Sequence, residues 1–177
     1  MRVYGASGAI GSSALQLAKL SGAEVAAVVA TRHVPLARSL GADRVIDYTK
    51  EDFTGLRERF DFVLDAVGKT SFFKCRKVLK PDEVYAATDL GAGGQNLALL
   101  LWSAVTANGR IAMPAPARGT ATAFVSMMRG LLERGAFRAI IDRHYPLEAI
   151  TEAYRYVDAG QKTGIVVLDF APPADRG

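Results

Sequence analysis

The residues best suited to chemistry stand at the start of the chain. Tyr4-Gly5-Ala6-Ser7-Gly8-Ala9-Ile10-Gly11 is a glycine-rich turn between a short apolar strand and an amphipathic helix. Within it, Ala6-x-Gly8-x-x-Gly11 has the spacing of a dinucleotide fingerprint, with alanine in the first glycine slot. Gly8 has no side chain, so the backbone there can approach a pyrophosphate, and Gly11 lets the helix pack closely on a sheet. The helix N-terminus offers unpaired N–H groups and a positive dipole end to the phosphates. Alone, such a turn fits a purely structural strand-to-helix connection as well, so its context decides. The next informative residues are Ala30-Thr31-Arg32-His33, which follow a second apolar run. An acid about 20 residues past the glycines ordinarily holds the adenosine ribose of NAD. No acid stands in this stretch. A hydroxyl and a guanidinium would instead bind a 2′-phosphate, because arginine grips phosphate through a planar pair of donors. Thr31-Arg32 therefore favours NADP(H) over NAD, against the competing reading of Arg32 as a solvated loop residue. Whether His33 faces solvent is left open.

Other reactive side chains are few. Cys75 is the only cysteine, so no internal disulfide forms and a reducing compartment is the simpler reading. It lies in an apolar helical pattern and reads as a packing residue rather than a nucleophile. His33, His144 and Cys75 are far apart in sequence and give no metal-ligand spacing, so no metal is expected. Asp65, Asp89 and Asp142 could donate a proton by their chemistry, but local capping or ion pairing accounts for them better. No catalytic residue is assigned.

The 177 residues can bury a real core. Hydrophobic residues make up 50% and charged residues 23%, as in a water-soluble globular protein. The net charge is +4, and the 22 basic residues are scattered, which argues against a nucleic-acid surface. No signal peptide is visible. The longest apolar run, 97–107, is too short for a bilayer and reads as a buried helix. A cytoplasmic location without membrane contact is the expectation.

The elements that would position the turn and Thr31-Arg32 alternate along the chain. After the turn, Ile10, Ala14, Leu17 and Ala18 fall on one helical face. Strands are predicted over 24–30, 44–48, 60–67, 83–88 and 110–117, and helices over 34–40, 71–79 and 97–107. A helical turn is expected within 49–59, a tight turn at Pro81-Asp82, and a loop around Gly91, Gly93 and Gly94. This alternation means an α/β fold, a doubly wound parallel Rossmann sheet of about six strands. Right-handed crossovers bring all strand C-termini to one edge. That edge would carry Ala6, Ser7 and Gly8, then Thr31 and Arg32, then Tyr48, then Ala66, Val67 and Gly68, then Thr88 to Gly91. Beyond residue 117 the pattern changes to a helix over 124–133, a strand over 137–145, a helix carrying Leu147, Ile150, Ala153, Tyr154 and Val157, a strand over 163–170 and a polar tail. The chain therefore divides into 1–118, an NAD(P)-binding Rossmann domain, and a segment, 119–177.

The fingerprint, Thr31-Arg32, the run Ser39-Leu40-Gly41-Ala42-Asp43-Arg44-Val45-Ile46-Asp47-Tyr48, Asp65-Ala66-Val67-Gly68 and Ile141-Asp142-Arg143-His144-Tyr145-Pro146-Leu147 occur together and in order. Over residues 3–170 this resembles the medium-chain dehydrogenase/reductase superfamily, and most of all its zinc-independent quinone oxidoreductase branch and related alcohol dehydrogenase-like proteins. The resemblance implies that Gly8, Ala9, Ile10 and Gly11 hold the pyrophosphate, with Ala6 and Ser7 in the same turn. Thr31, Arg32 and Tyr48 would hold the adenosine 2′-phosphate region. Ala66, Val67 and Gly68 would sit near the ribose and nicotinamide, with Thr88 close by. It implies NADP(H) as cofactor and hydride transfer to a quinone, enone or related carbonyl compound.

Two departures bear on function. Family members begin with a mostly β catalytic domain that is not seen before Met1, and 119–177 resembles the part that returns to complete it. The chain is then expected to bind cofactor without turnover. Many relatives also carry a basic residue at the position of Ile165. A non-catalytic NADP(H)-binding module and the enoyl-reductase portion of a multidomain synthase are alternative readings. Relatives often dimerise through the edge strand, here 110–117. Pro114 and Pro116 remove donors from one side of it, so a homodimer would not use continuous pairing there.

Overall fold

A computed structural model of the chain describes residues 1–53, 55, 58–68, 70–89, 94–105, 111–112 and 119–170. The first part alternates as β1 (Arg2–Tyr4), α1 (Ala9–Leu20), β2 (Ala26–Val29), α2 (Val34–Ser39), β3 (Arg44–Asp47), β4 (Phe60–Asp65), α3 (Phe72–Cys75), β5 (Leu79–Ala87), α4 (Gln95–Val105) and β6 (Ile111–Ala112). The six strands form one sheet in the order β3-β2-β1-β4-β5-β6, and every pairing is parallel. The doubly wound expectation holds.

Alternation along the strands explains why these segments read as unbroken apolar runs. Val3, Val25, Ala27, Val29, Leu64 and Ala86 turn to one face, where Leu15 of α1 and Ala37 of α2 cover them. Tyr4, Ala26, Val28, Val63, Tyr85 and Ala87 turn to the other, under Phe72 and Cys75 of α3, with Leu99 of α4 packed against them. A strand covered on both faces has no polar side to show. Arg2 is one exception. It is fully buried, with its guanidinium 4.1 Å from the centre of the Phe60 ring and Nη1 donating to the carbonyl of Phe53 at 2.7 Å.

Several local expectations shift. The buried face of α1 centres on Gly11, Ser12, Leu15 and Gln16, and Ile10 is 51% exposed. The helix expected over 71–79 is a single turn. Phe60 N donates to Val78 O, so the sheet captures the chain there and β5 starts at Leu79. Phe72, Cys75, Val78 and Leu79 are nonetheless all buried, so the apolar pattern was sound and only its period was misread. Pro81 lies inside β5, not in a turn. The register jumps from Phe60 opposite Leu79 to Phe62 opposite Val84, and the intervening bulge accommodates a residue that cannot donate to a ladder. The described part of 49–59 runs as turns and bends without a helix. Leu90, Gly91, Gly93, Pro114 and Pro116 lie outside the described residues, and with them the reading of the edge strand as a dimer contact.

The C-terminal part contains α5 (Ala121–Glu133), β7 (Ile141–Pro146), a 3-10 turn (Leu147–Ala149), α6 (Ile150–Asp158) and β8 (Ile165–Asp169). β7 and β8 pair in parallel as a separate two-stranded sheet. Several contacts dock it onto the first part. Gly164 N donates to Ser7 O at 2.8 Å. Gln16 of α1 exchanges two hydrogen bonds with the backbone of Arg138, at 2.9 and 3.0 Å. Ile140 packs against the core beneath α1.

Candidate functional site

The turn after β1 is built by two glycines with different tasks. Gly5 has φ +79, and its N–H donates to Val28 O at 3.1 Å. A Cβ there would overlap Val67, so the tight turn depends on this residue rather than on Ala6, which sits where the fingerprint has its first glycine. A Cβ on Gly11 would overlap the Gly5 carbonyl oxygen and come within 2.9 Å of Ala6 Cα, so Gly11 lets α1 lie against the turn. Gly8 differs from both. Its φ is −80, and a Cβ would meet only the Gly5 oxygen at 3.5 Å. The fold itself thus leaves room for a Cβ at Gly8. Gly8 is the N-cap of α1, no side chain caps that end, and no acid lies in the first turn. Such a helix end suits an anion.

A cavity of about 410 Å³ opens at the C-terminal ends of β1, β2 and β4. Of the residues expected from sequence, Ser7, Gly8, Arg32, Tyr48, Ala66 and Val67 line it together. Ala9 and Ile10 stand at the first turn of α1 beside it, Ala6 is buried beneath it, and Gly11 is packed against Gly5. Thr88 hydrogen-bonds β4 at Asp65, N to O at 3.1 Å. Among the lining residues that sequence reasoning did not assign to the site are His33, Val157, Gly160 and Lys162. His33 is only 8% exposed, which decides the question left open above. Lys162 brings a cation to the pocket wall, its Nζ donating to Gly164 O at 2.7 Å. The position of Ile165 lacks a basic residue, and the turn three residues before it supplies one. The C-terminal segment therefore walls the cofactor-type cleft itself.

Among the described residues no carboxylate lines this cavity, whereas Arg32 and Lys162 do. Asp47, at the end of β3 before the lining residue Tyr48, is occupied: it accepts from Thr31 Oγ1 at 2.6 Å, from Thr49 Oγ1 at 2.7 Å and from Thr49 N at 3.0 Å. The Thr31 hydroxyl first, then Thr49, hold its carboxyl below the usual range. Thr31 thus spends its proton on Asp47, leaving Arg32 as the donor of that pair.

Asp65 organises the turn after β4. It is fully buried, and Oδ1 accepts from Val67 N at 3.0 Å and Gly68 N at 2.9 Å, while Oδ2 accepts from Tyr85 OH at 3.1 Å. Burial, then the Asp65 charge, push the Tyr85 phenol well up, so it stays a donor. Asp142 is likewise structural, accepting from Tyr156 OH at 2.7 Å and Thr163 N at 3.0 Å. Asn96 Nδ2 donates to the main-chain oxygen of Asp89 at 3.1 Å. Cys75 is buried, and desolvation pushes its thiol up to about 11, as befits a packing residue.

Comparison with known proteins adds the family. The zinc-binding dehydrogenase profile matches residues 40–168. A 2-methylene-furan-3-one reductase of Solanum lycopersicum is 35% identical over 177 aligned positions, covering 96% of this chain and 40% of that protein. An NADPH-dependent alkenal/one oxidoreductase of Arabidopsis thaliana is 32% identical, covering 94% of this chain and 39% of that protein. The chain thus spans about two fifths of the length of these curated relatives. Among solved structures, a quinone oxidoreductase from Coxiella burnetii superposes with a TM-score of 0.82 at 22% identity, over 96% of this chain and 52% of that one, and so shares the fold. Among the described residues no three His, Cys, Asp or Glu side chains gather as metal ligands. No helix among the described residues is long and apolar enough to cross a membrane. The matched profile, the parallel six-stranded sheet and the glycine turn at its edge make this chain a member of the zinc-binding dehydrogenase family, within the medium-chain dehydrogenase/reductase superfamily.

Proposed function

We propose that this chain is the NADP(H)-binding portion of a zinc-independent oxidoreductase that moves a hydride between NADP(H) and a quinone, enone or related carbonyl compound. The observation that carries this reading is the cavity where the Gly8 turn meets Arg32 and Lys162, with no carboxylate among the described residues of its lining. One relative is named as a 2-methylene-furan-3-one reductase, and another as an NADPH-dependent alkenal/one oxidoreductase. In this reading the Gly8–Gly11 turn and the N-terminus of α1 hold the pyrophosphate. Arg32, with Tyr48 beside it, holds the 2′-phosphate, and Thr31 acts by fixing Asp47. Ala66, Val67 and Gly68, pinned by Asp65, face the ribose and nicotinamide, with Thr88 supporting them. The bound nicotinamide supplies the hydride chemistry, while the chain's residues bind and orient it.

Residues 119–177 belong, in the same proposal, to a second domain of the whole protein that would complete the substrate pocket. Half-exposed apolar residues such as Phe124, Val125 and Leu132 on α5 support this. Without that second wall the nicotinamide stays wet and loosely aimed, so the isolated chain binds cofactor but turns over negligibly. Fluorescence titration tests the binding. NADPH is expected to bind at least about tenfold more tightly than NADH, and Arg32→Glu to abolish the preference. Equal affinities, or an unchanged preference in the variant, would overturn the reading. NADPH oxidation with a panel of quinones and enones tests the rest, and robust turnover by this chain would show that its site is complete.

A further inference from the structure

Arg32 does not stand alone in the cavity wall. Its Nε donates to His33 Nε2 at 2.9 Å, its Nη1 to the side-chain oxygen of Gln161 at 2.9 Å, and its Nη2 to the main-chain oxygen of Gln161 at 3.1 Å. A guanidinium has five N–H groups. Three are spent on these two neighbours, and one on each Nη is left for an incoming anion. Gln161 is exposed and does not line the cavity, so it grips Arg32 from outside. His33 does line it, is nearly buried, and accepts from Arg32 through a nitrogen that must be unprotonated. Desolvation, reinforced by the charge on Arg32, holds His33 below its usual pKa and so keeps that acceptor available.

We propose that His33 and Gln161 are positioning residues that set selectivity for a 2′-phosphorylated dinucleotide by holding Arg32 ready at the cavity, an inference that rests on the NADP(H) reading above. A long side chain fixed before binding loses less rotamer freedom when the ligand arrives. Gln161 lies 129 residues from Arg32, in the turn between α6 and β8. Its neighbour Lys162 lines the same cavity. Phosphate selectivity therefore depends on the docked C-terminal segment, not on the β2 edge alone.

The test is fluorescence titration of the full chain with NADPH and with NADH, read as the ratio of the two dissociation constants. NADH lacks the 2′-phosphate and serves as the internal control. Gln161→Met removes the side-chain acceptor at an exposed position, where folding is undisturbed. His33→Leu removes the ring acceptor, and His33→Gln keeps a neutral acceptor of similar reach. Loss of one hydrogen bond to a charged group predicts that Gln161→Met and His33→Leu each weaken NADPH about five- to tenfold. NADH, which has no 2′-phosphate for Arg32 to hold, should lose far less than NADPH in each variant, and His33→Gln should retain most of the original ratio. If the unaltered chain prefers NADPH and both disruptive variants keep that preference, positioning is overturned while the NADP(H) reading stands. Equal loss for both cofactors would reveal a merely structural role and would also overturn it. No preference in the unaltered chain would overturn the inference and the reading together.

Discussion

Three glycines in one turn respond differently to the same added methyl group, because each faces a different neighbour. At Gly11 the methyl would meet backbone, which cannot swing away: Gly5 C at 2.7 Å and Ala6 Cα at 2.9 Å. At Gly8 it would meet one oxygen at ordinary contact distance, 3.5 Å, on a backbone with φ −80 that any residue adopts. Gly11→Ala should therefore cost about 1–3 kcal/mol in urea unfolding, the usual range for overpacking. Gly8→Ala should change stability by no more than about 0.5 kcal/mol. It should nevertheless weaken dinucleotide binding by at least about tenfold, since the methyl projects into the place proposed for the pyrophosphate. A Gly8→Ala variant that binds as tightly as the parent would remove the pyrophosphate from this turn. The two variants separate the glycine kept for the fold from the one kept for a ligand, which the spacing of the fingerprint cannot do.

At the scale of an element, the end of β4 depends on one buried carboxylate. Asp65 takes the N–H groups of Val67 and Gly68 and the hydroxyl of Tyr85, a fully buried side chain on β5. It joins two neighbouring strands to the turn that lines the cavity. Asp65→Ala leaves all three donors without this acceptor, and an orphaned buried donor costs about 1–3 kcal/mol. Tyr85→Phe removes only one donor and leaves the carboxylate with two. Asp65→Ala should thus be the costlier change. The double variant should cost less than the sum of the two, because Tyr85→Phe takes away the hydroxyl that Asp65→Ala strands. Denaturant unfolding of the four proteins measures this, and strict additivity would mean that the Tyr85 contact contributes nothing. The neighbouring strand shows where local reading runs out. Phe72, Cys75, Val78 and Leu79 fit a helical face, but pairing of Phe60 with the 78–79 backbone ends the helix after one turn.

For the whole molecule, the uncovered surface is the outstanding feature. Phe124 and Val125 on α5 are 52% and 58% exposed, and Leu101 on α4 is 62% exposed. Single exposed apolar residues are ordinary, but several on one helix mark a surface built to be covered. Phe124→Ser and Val125→Ser should each leave thermal stability within about 0.5 kcal/mol of the parent, since neither side chain is buried. Together they should lower binding of an apolar-surface dye and reduce self-association on sizing. A large loss of stability would mean that α5 packs more tightly than its exposure indicates.

Local regularities settled much of this protein before any contact was known. Apolar runs of strand length, separated by helical periods, are enough to specify a parallel sheet covered on both faces, because only that arrangement hides a strand with no polar side. The glycine turn and Thr31-Arg32 could be located for the same reason: their chemistry is local in sequence. The tertiary structure decided everything that depends on residues meeting across the chain. The Thr31 hydroxyl goes to Asp47, sixteen residues on. Lys162 reaches the cavity wall from the C-terminal segment, and the grip on Arg32 comes from Gln161, 129 residues away. His33 is nearly buried and lines the same cavity as Val157 and Gly160 of the docked segment. No periodicity or motif specifies which of these residues meet. A hydrogen-bond partner is chosen by distance in space, and only the folded chain supplies that distance.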